Sequence, residues 1–267
     1  MNPDIHMRPL ALVTGASSGI GADLAREFAH HGHDVVLTAR RAAPMDALAT
    51  ELRTLGATVT VITADLSANG AAAALATQLD SRGLKVDVLI NNAGLGAGGP
   101  FHESEPRRVA EMLQVNVVAL TELTRALLPG MVARGRGRVL FVASTAAFQP
   151  GPAMAVYCAS KAFVLSFGEA IAYELRGTGV TVTTLCPGPT RTEFTDVANT
   201  GTSVLFVGPM ANVMTPAAVA RAGYRAAMAG ERVHVVGITN KVVAAAGRFS
   251  PRTLSLPVTA AILKPGK

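Results

Sequence analysis

The chain has 267 residues, 49% of them hydrophobic, with 26 glycines and a formal charge of +6. That length suits one well-buried core, and the apolar content excludes a disordered chain, which buries too little apolar surface to offset its entropy. Lys and Arg are scattered without a basic tail and only 4% of residues are aromatic, so nucleic acid is not the expected partner, whereas acidic or phosphorylated ligands are favoured.

In chain order, the buried run "LALVTG" predicts a strand and "IGADLAREFAHHG" a helix. The strand "DVVLTAR", helix "MDALATELRTLG", strand "TVTVITADL", helix "AAAALATQLDSRG" and strand "VDVLINNAG" follow. The second half predicts a long helix over about 105–133, the strand "RVLFVAS", a helix over about 155–177 and the strand "VTVTTLCPG". Strands this continuously apolar are buried on both faces, as when helices cover both sides of a parallel sheet. The fold class is therefore α/β, a doubly wound parallel sheet. Gly32, Gly56, Gly83, Gly135 and Gly177 fall where helices must stop. Beyond Val235, "KVVAAAGRF" and "PRTLSLPVTAAILK" read as short amphipathic helices. One domain over 1–267 is expected, with a substrate loop at about 190–215 and a helical tail from about 238. No apolar stretch approaches a membrane span, no signal peptide is evident at the N-terminus, and the two cysteines, Cys158 and Cys186, are expected as free thiols. A cytoplasmic protein is expected.

Between the first strand and helix, Thr14, Gly15, Gly19 and Gly21 form a turn that lets backbone approach a pyrophosphate at the helix N-terminus. After the second strand stand Arg40 and Arg41, where an acidic residue would bind a ribose 2′-hydroxyl and repel a 2′-phosphate. Guanidinium groups favour NADP(H) over NAD(H); the alternative is a solvated sheet edge. Asp65 is placed either to accept from an adenine amino group or to cap the next helix. "NNAG" at 91–94 is either a loop fixed against the cofactor or a plain turn.

Tyr157 and Lys161 are one helical turn apart and share a face. A neighbouring ammonium stabilises phenolate, so the spacing predicts an acid/base phenol whose proton affinity Lys161 lowers. Ser144, ending the strand "RVLFVAS", is placed to donate to a developing oxyanion.

With these motifs in this order, the sequence resembles the short-chain dehydrogenase/reductase family over about residues 8–237. "TGASSGIG", with Ser17, Ser18 and Ile20 among its glycines, matches the family's cofactor turn, "NNAG" its fourth-strand motif and "YCASK" its Tyr-x-x-x-Lys. The resemblance implies a Rossmann-type sheet of seven strands in the order 3-2-1-4-5-6-7. It further implies a catalytic set of Asn116, Ser144, Tyr157 and Lys161, with a water-linked proton relay from Asn116 through Lys161. The cofactor site it implies comprises the glycine turn, Arg40, Arg41, Asp65, Leu66, Asn92, Ala93 and Gly94. Tyr157 and Lys161 contribute to it, as do Pro187, Gly188, Thr190 and Thr192 of "PGPTRT". A homodimer or homotetramer packed through the long helices is implied as well.

His30, His31 and His33 lack ligand spacing and are expected as solvated surface rather than a metal site. Cys158 is expected to pack rather than react. Residues 194–214 interrupt the rhythm with Val204, Leu205, Phe206, Val207, Met210 and Met214; they form either a substrate lid or a self-packed stretch. With Phe101 and Phe148, they point to a lipophilic ketone, aldehyde or acyl chain. The expected activity is NADP(H)-dependent reduction of a lipophilic carbonyl or the reverse oxidation. Alternatives are reduction of 3-oxoacyl thioesters and, in another class, a non-catalytic nucleotide sensor, which would have a damaged Ser-Tyr-Lys set.

Overall fold

Along each buried strand, alternate side chains face opposite ways, so two separate cores are needed. A computed structural model of the protein describes residues 8–193 and 213–263 and has this arrangement. Strands β1 (Leu10–Thr14), β2 (Asp34–Ala39), β3 (Val59–Thr63), β4 (Val88–Asn91), β5 (Gly137–Val142), β6 (Val180–Cys186) and β7 (Val233–Val235) form one parallel sheet. Their order is 3-2-1-4-5-6-7, as expected. Leu12 lies opposite Val36 of β2 and Leu89 of β4.

Val13, Val35, Leu37 and Ile90 enter one core, covered by helices α1 (Gly19–His30), α2 (Ala42–Thr54) and α7 (Pro216–Ala229). Leu12, Val36, Leu89 and Phe141 enter the other, covered by α3 (Ala71–Ser81), α5 (Leu120–Ala133) and α6 (Ala155–Glu174). Phe28 and Phe141 are fully buried anchors of the two cores; burying a side chain of this size contributes about 1.5–3 kcal/mol. All the strands run one way, so their carboxyl ends share one edge, and ligands of such sheets bind where the order reverses, here between β1 and β4.

The helix expected over 105–133 is present and runs unbroken over Pro106–Ala133, with a π-helical turn in its middle: α4 (Pro106–Leu113), the turn Gln114–Ala119, and α5. Such turns occur mostly inside longer helices and often at functional sites. The helix expected to reach 177 stops at Glu174. Gly32, Gly56, Gly83, Gly135 and Gly177 all have positive φ, and two tail helices are present, α8 (Ile238–Phe249) and α9 (Arg252–Leu263).

Two expectations need correction. Pro106–Ala133 and Ala155–Glu174 are long and apolar enough to cross a membrane by length and composition, at mean hydropathy 1.3; their interspersed Thr, Ser and Asn scarcely lower that mean, and both carry core residues packed on the sheet. His33 is buried, unlike exposed His30 and His31. Its ring meets Phe28 edge-on at 5.0 Å and its Nδ1 lies 3.2 Å from the Phe28 carbonyl oxygen. Burial holds its pKa below the usual histidine range.

Candidate active site

The glycine turn is closed by its neighbours on β1 and β4. Gly15 has φ +67°, and a Cβ on Gly21 would collide with the Gly15 carbonyl oxygen and the Asn92 amide. Asn92 Nδ2 donates to the Thr14 carbonyl at 2.9 Å, while Thr14 Oγ1 accepts from the Asn92 and Ala93 amides at 3.0 Å. Asn91 is drawn the other way, donating to Thr124 Oγ1 at 3.0 Å. "NNAG" is thus no plain turn: it clamps the turn after β1 to the end of β4.

The residues present fit a dinucleotide phosphate. Helix α1 begins at Gly19, and the side chain of its N-cap residue Ser18 makes no capping hydrogen bond, so its first amides remain available to an anion. Arg41 reaches over this end, donating to Ser17 Oγ at 3.3 Å and Ser18 Oγ at 3.2 Å. It also pairs with Glu193 at 2.7 Å. Arg41, with Ser18, holds the Glu193 carboxyl below the usual range. Thr192 packs against Gly19, with its Cγ2 3.0 Å from where a Cβ would stand. Arg40 is exposed at the edge of a cavity of about 390 Å³ that also includes Leu95, Gly96, Arg107 and Arg108.

Asp65 accepts from the Ser67 amide at 3.0 Å and the Ser67 hydroxyl at 2.7 Å. Burial raises its pKa, but these bonds and the nearby Arg40 outweigh it and hold the carboxyl low. Leu66 is buried beside it. Beyond β6, the Pro187 carbonyl accepts from the Thr145 amide at 2.9 Å, and Thr190 Oγ1 donates to the Gly188 carbonyl at 2.9 Å. Thr190 bridges to Met214, closing the base of the expected substrate loop. Val204, Leu205, Phe206, Val207 and Met210 lie outside the described residues.

Ser144, Tyr157, Lys161 and Asn116 meet at the carboxyl ends of β4 and β5. Ser144 Oγ accepts from the Ala146 amide at 3.1 Å and hydrogen-bonds the Tyr157 side chain. Lys161 Nζ lies 5.9 Å from the Tyr157 ring centroid and donates to the Val142 carbonyl at 2.8 Å. A Cβ built on Gly94 would stand 3.4 Å from both Lys161 Nζ and Asn116 Oδ1, so Gly94 leaves room beside both, while Ile20 is partly buried against the first core. Asn116, on the π-helical turn, accepts from the Leu95 amide at 2.8 Å and donates at 2.9 Å to the Leu95 carbonyl and Ser160 Oγ.

The electrostatics differ from the expectation that Lys161 lowers the phenol. Burial pushes Tyr157 up to about 12, against a lowering hydrogen bond from Ser144. Burial brings Lys161 down to about 8. The ammonium donates to the Val142 carbonyl, and desolvation is the largest influence on both groups. Cys158 and Cys186 are buried free thiols, raised to about 11 and about 12 by desolvation, which removes reactive thiolate.

Two residues of this site went unsingled in the sequence: Glu193, and Asn240, whose amide crowds Gly188 and donates to the Val236 carbonyl at 2.7 Å. No spacing pattern marks either of them, because each meets its partner only through the fold.

The family model for short chain dehydrogenases matches residues 9–202. The chain belongs to this family. A short-chain dehydrogenase is an NAD(P)-dependent oxidoreductase, and the glycine turn and Ser-Tyr-Lys cluster of this one stand where its sheet opens. It is 39% identical over 190 residues to the NADP-dependent 3-hydroxy acid dehydrogenase YdfG of Salmonella typhi, covering 70% of this chain and 75% of that one. Among solved structures it resembles a short-chain dehydrogenase from Sphingobium yanoikuyae in complex with NADPH, at 33% identity and TM-score 0.79 over 90% of this chain and 92% of the other. A bulky-bulky ketone specific alcohol dehydrogenase from Comamonas testosteroni is also similar, at 33% identity and TM-score 0.74 over 85% of each chain.

Proposed function

We propose that the protein is an NADP(H)-dependent carbonyl reductase and alcohol dehydrogenase for small lipophilic substrates, with Tyr157 as general acid and base. The observation that carries this is the Ser144–Tyr157 hydrogen bond with the Lys161 ammonium beside the ring. The glycine turn, the start of α1, Asn92, Ala93, Gly94 and the Pro187–Thr192 segment would hold the dinucleotide, and Arg40 and Arg41 its 2′-phosphate. When bound, NADP(H) supplies or accepts hydride at the carbonyl carbon.

The chain does the rest. Ser144 steadies the carbonyl oxygen by hydrogen bonding, and Tyr157 passes its phenolic proton to that oxygen. Lys161 stabilises the phenolate left behind, and Asn116 refills the proton through Lys161 and water. At neutral pH a phenol raised to about 12 is protonated, so the site is poised to donate. Reduction therefore has its proton donor throughout the neutral range; oxidation, which needs the phenolate, should accelerate as pH rises.

Lipophilic substrates are favoured by partly buried Phe148 on the loop after Ser144, by exposed Phe101, and by the ketone specificity in the name of the Comamonas relative. Exposed Leu113, Val118 and Val132 on the α4–α5 segment and Phe163 on α6 support a homodimer or homotetramer. Buried free thiols accord with a cytoplasmic setting.

Screening NADPH consumption against lipophilic ketones, aldehydes and 3-oxoacyl thioesters tests the reading. Turnover is expected with the ketones and aldehydes. Turnover with thioesters alone would transfer the assignment to acyl-thioester reduction, and none with any class would refute a reductase.

A further inference from the structure

Helix α8 rests on the body through Asn240, Ala244 and Gly247, all buried. Gly247 meets Phe148 and Gln149 of the loop after Ser144, and Asn240 meets Gly188. The face directly opposite should then be polar, as on any surface helix of a water-soluble body. It carries Ile238, Val242, Ala245 and Phe249, spaced at i, i+4, i+7 and i+11. Ile238 is 83% exposed and Phe249 81%.

Among its described side chains, the adjoining helix α9 buries Ser255 and Thr259, the latter 2% exposed, whereas Leu254 is 65% exposed and Val258 more than half. Pro257 and Ala261 share that outer face. Exposed Leu254, Leu256 and Val258 thus extend the apolar surface of α8 onto α9.

Charge selects the occupant. All 18 acidic residues lie at or before Glu231, while six of the 24 Lys and Arg follow it, leaving 18 basic and 18 acidic residues ahead. The net charge of +6 therefore belongs entirely to the last 36 residues. Lys241 and Arg248, a helical repeat apart on α8, are exposed and lie together along one edge of its apolar stripe. Two copies joined through this face would bring cations against cations with no acidic residue in either segment to offset them. An apolar stripe edged by cations, lacking acids, is the pattern of a helix lying in the headgroup layer of an anionic membrane.

We propose that α8 and α9 form a docking face for the surface of a bilayer containing anionic lipid. The apolar stripes enter the acyl boundary, and Lys241 and Arg248 meet the headgroups. Through its buried face, α8 ties the docked surface to the loop after Ser144 and to Gly188 after β6. The proposal stands on the two helices and their charge, independently of which carbonyl is reduced.

The test is flotation of the full chain with vesicles of phosphatidylcholine alone and of phosphatidylcholine mixed with phosphatidylserine. Binding to the mixed vesicles is expected, weakening as salt is raised and weak on phosphatidylcholine alone. K241Q and R248Q should each lower vesicle affinity about fivefold, and the double variant V242D/F249D should abolish flotation. NADPH binding, followed by its fluorescence, should be unaltered in all of them, which shows that the fold is intact. The proposal is overturned by failure of the wild type to float with the mixed vesicles, or by flotation indifferent to these substitutions. It is equally overturned if V242D/F249D instead dissolves a lipid-free oligomer, which would assign the face to a second copy.

Discussion

Replacing Tyr157 with phenylalanine is expected to cut turnover by about 10²- to 10⁴-fold while NADPH binds as before. Only the hydroxyl is lost, and with it the hydrogen bond to Ser144, while the glycine turn and the arginines proposed to hold the 2′-phosphate are left in place. The ring remains, so Lys161 keeps its neighbour at 5.9 Å and its anchor on Val142. Steady-state turnover measured beside a fluorescence titration with NADPH separates the two effects. Undiminished turnover would refute the assignment of Tyr157 as proton donor, and a parallel loss of NADPH binding would show that the ring and hydroxyl serve cofactor binding instead.

The second large effect is expected at the arginines. Arg40→Ala and Arg41→Ala should each weaken NADPH about 10- to 100-fold, the range for a charge-assisted bond to phosphate, with NADH nearly untouched. Glu193→Gln should act in the opposite sense. Its carboxylate occupies Arg41 at 2.7 Å, so a 2′-phosphate must share or displace that partner, and removing the negative charge should tighten NADPH modestly, since both side chains are largely exposed and screened. Binding titrations with both dinucleotides on the three variants read this directly. An equal loss of NADPH and NADH affinity in the arginine variants would show that neither group reads the 2′-phosphate.

Much of this architecture was legible in the chain because its causes are local. Continuous apolar strands such as "LALVT" and "VLIN" require covering helices on both faces, and the glycines after β1 require a tight turn. Tyr157 and Lys161 share a helix face by spacing alone. What stayed hidden depends on the fold. Over the six residues of Gln114–Ala119, a π-helical turn cannot be told from α-helix by periodicity. Glu193 is 152 positions from Arg41 and has no pattern of its own. His33 differs from exposed His30 and His31 because the fold buries it edge-on against Phe28. The direction of the phenol's pKa also escaped the sequence: spacing brings an ammonium near, but how far the fold desolvates the pair, and that Val142 takes the ammonium's hydrogen bond, is set by tertiary packing. The outward aliphatic face of α9 is similar, since an apolar run reads alike whichever side it presents.

The central claim is that this cluster passes a proton to the oxygen of a carbonyl while its carbon takes hydride from NADPH. The most direct measurement is label transfer from NADPH carrying deuterium at nicotinamide C4 to a lipophilic ketone, with the product alcohol analysed by mass spectrometry. The expected product carries deuterium on its carbinol carbon, transferred from one face of the nicotinamide only, and Tyr157→Phe forms almost none in the same time. NADPH oxidised without label appearing in any alcohol would contradict the account.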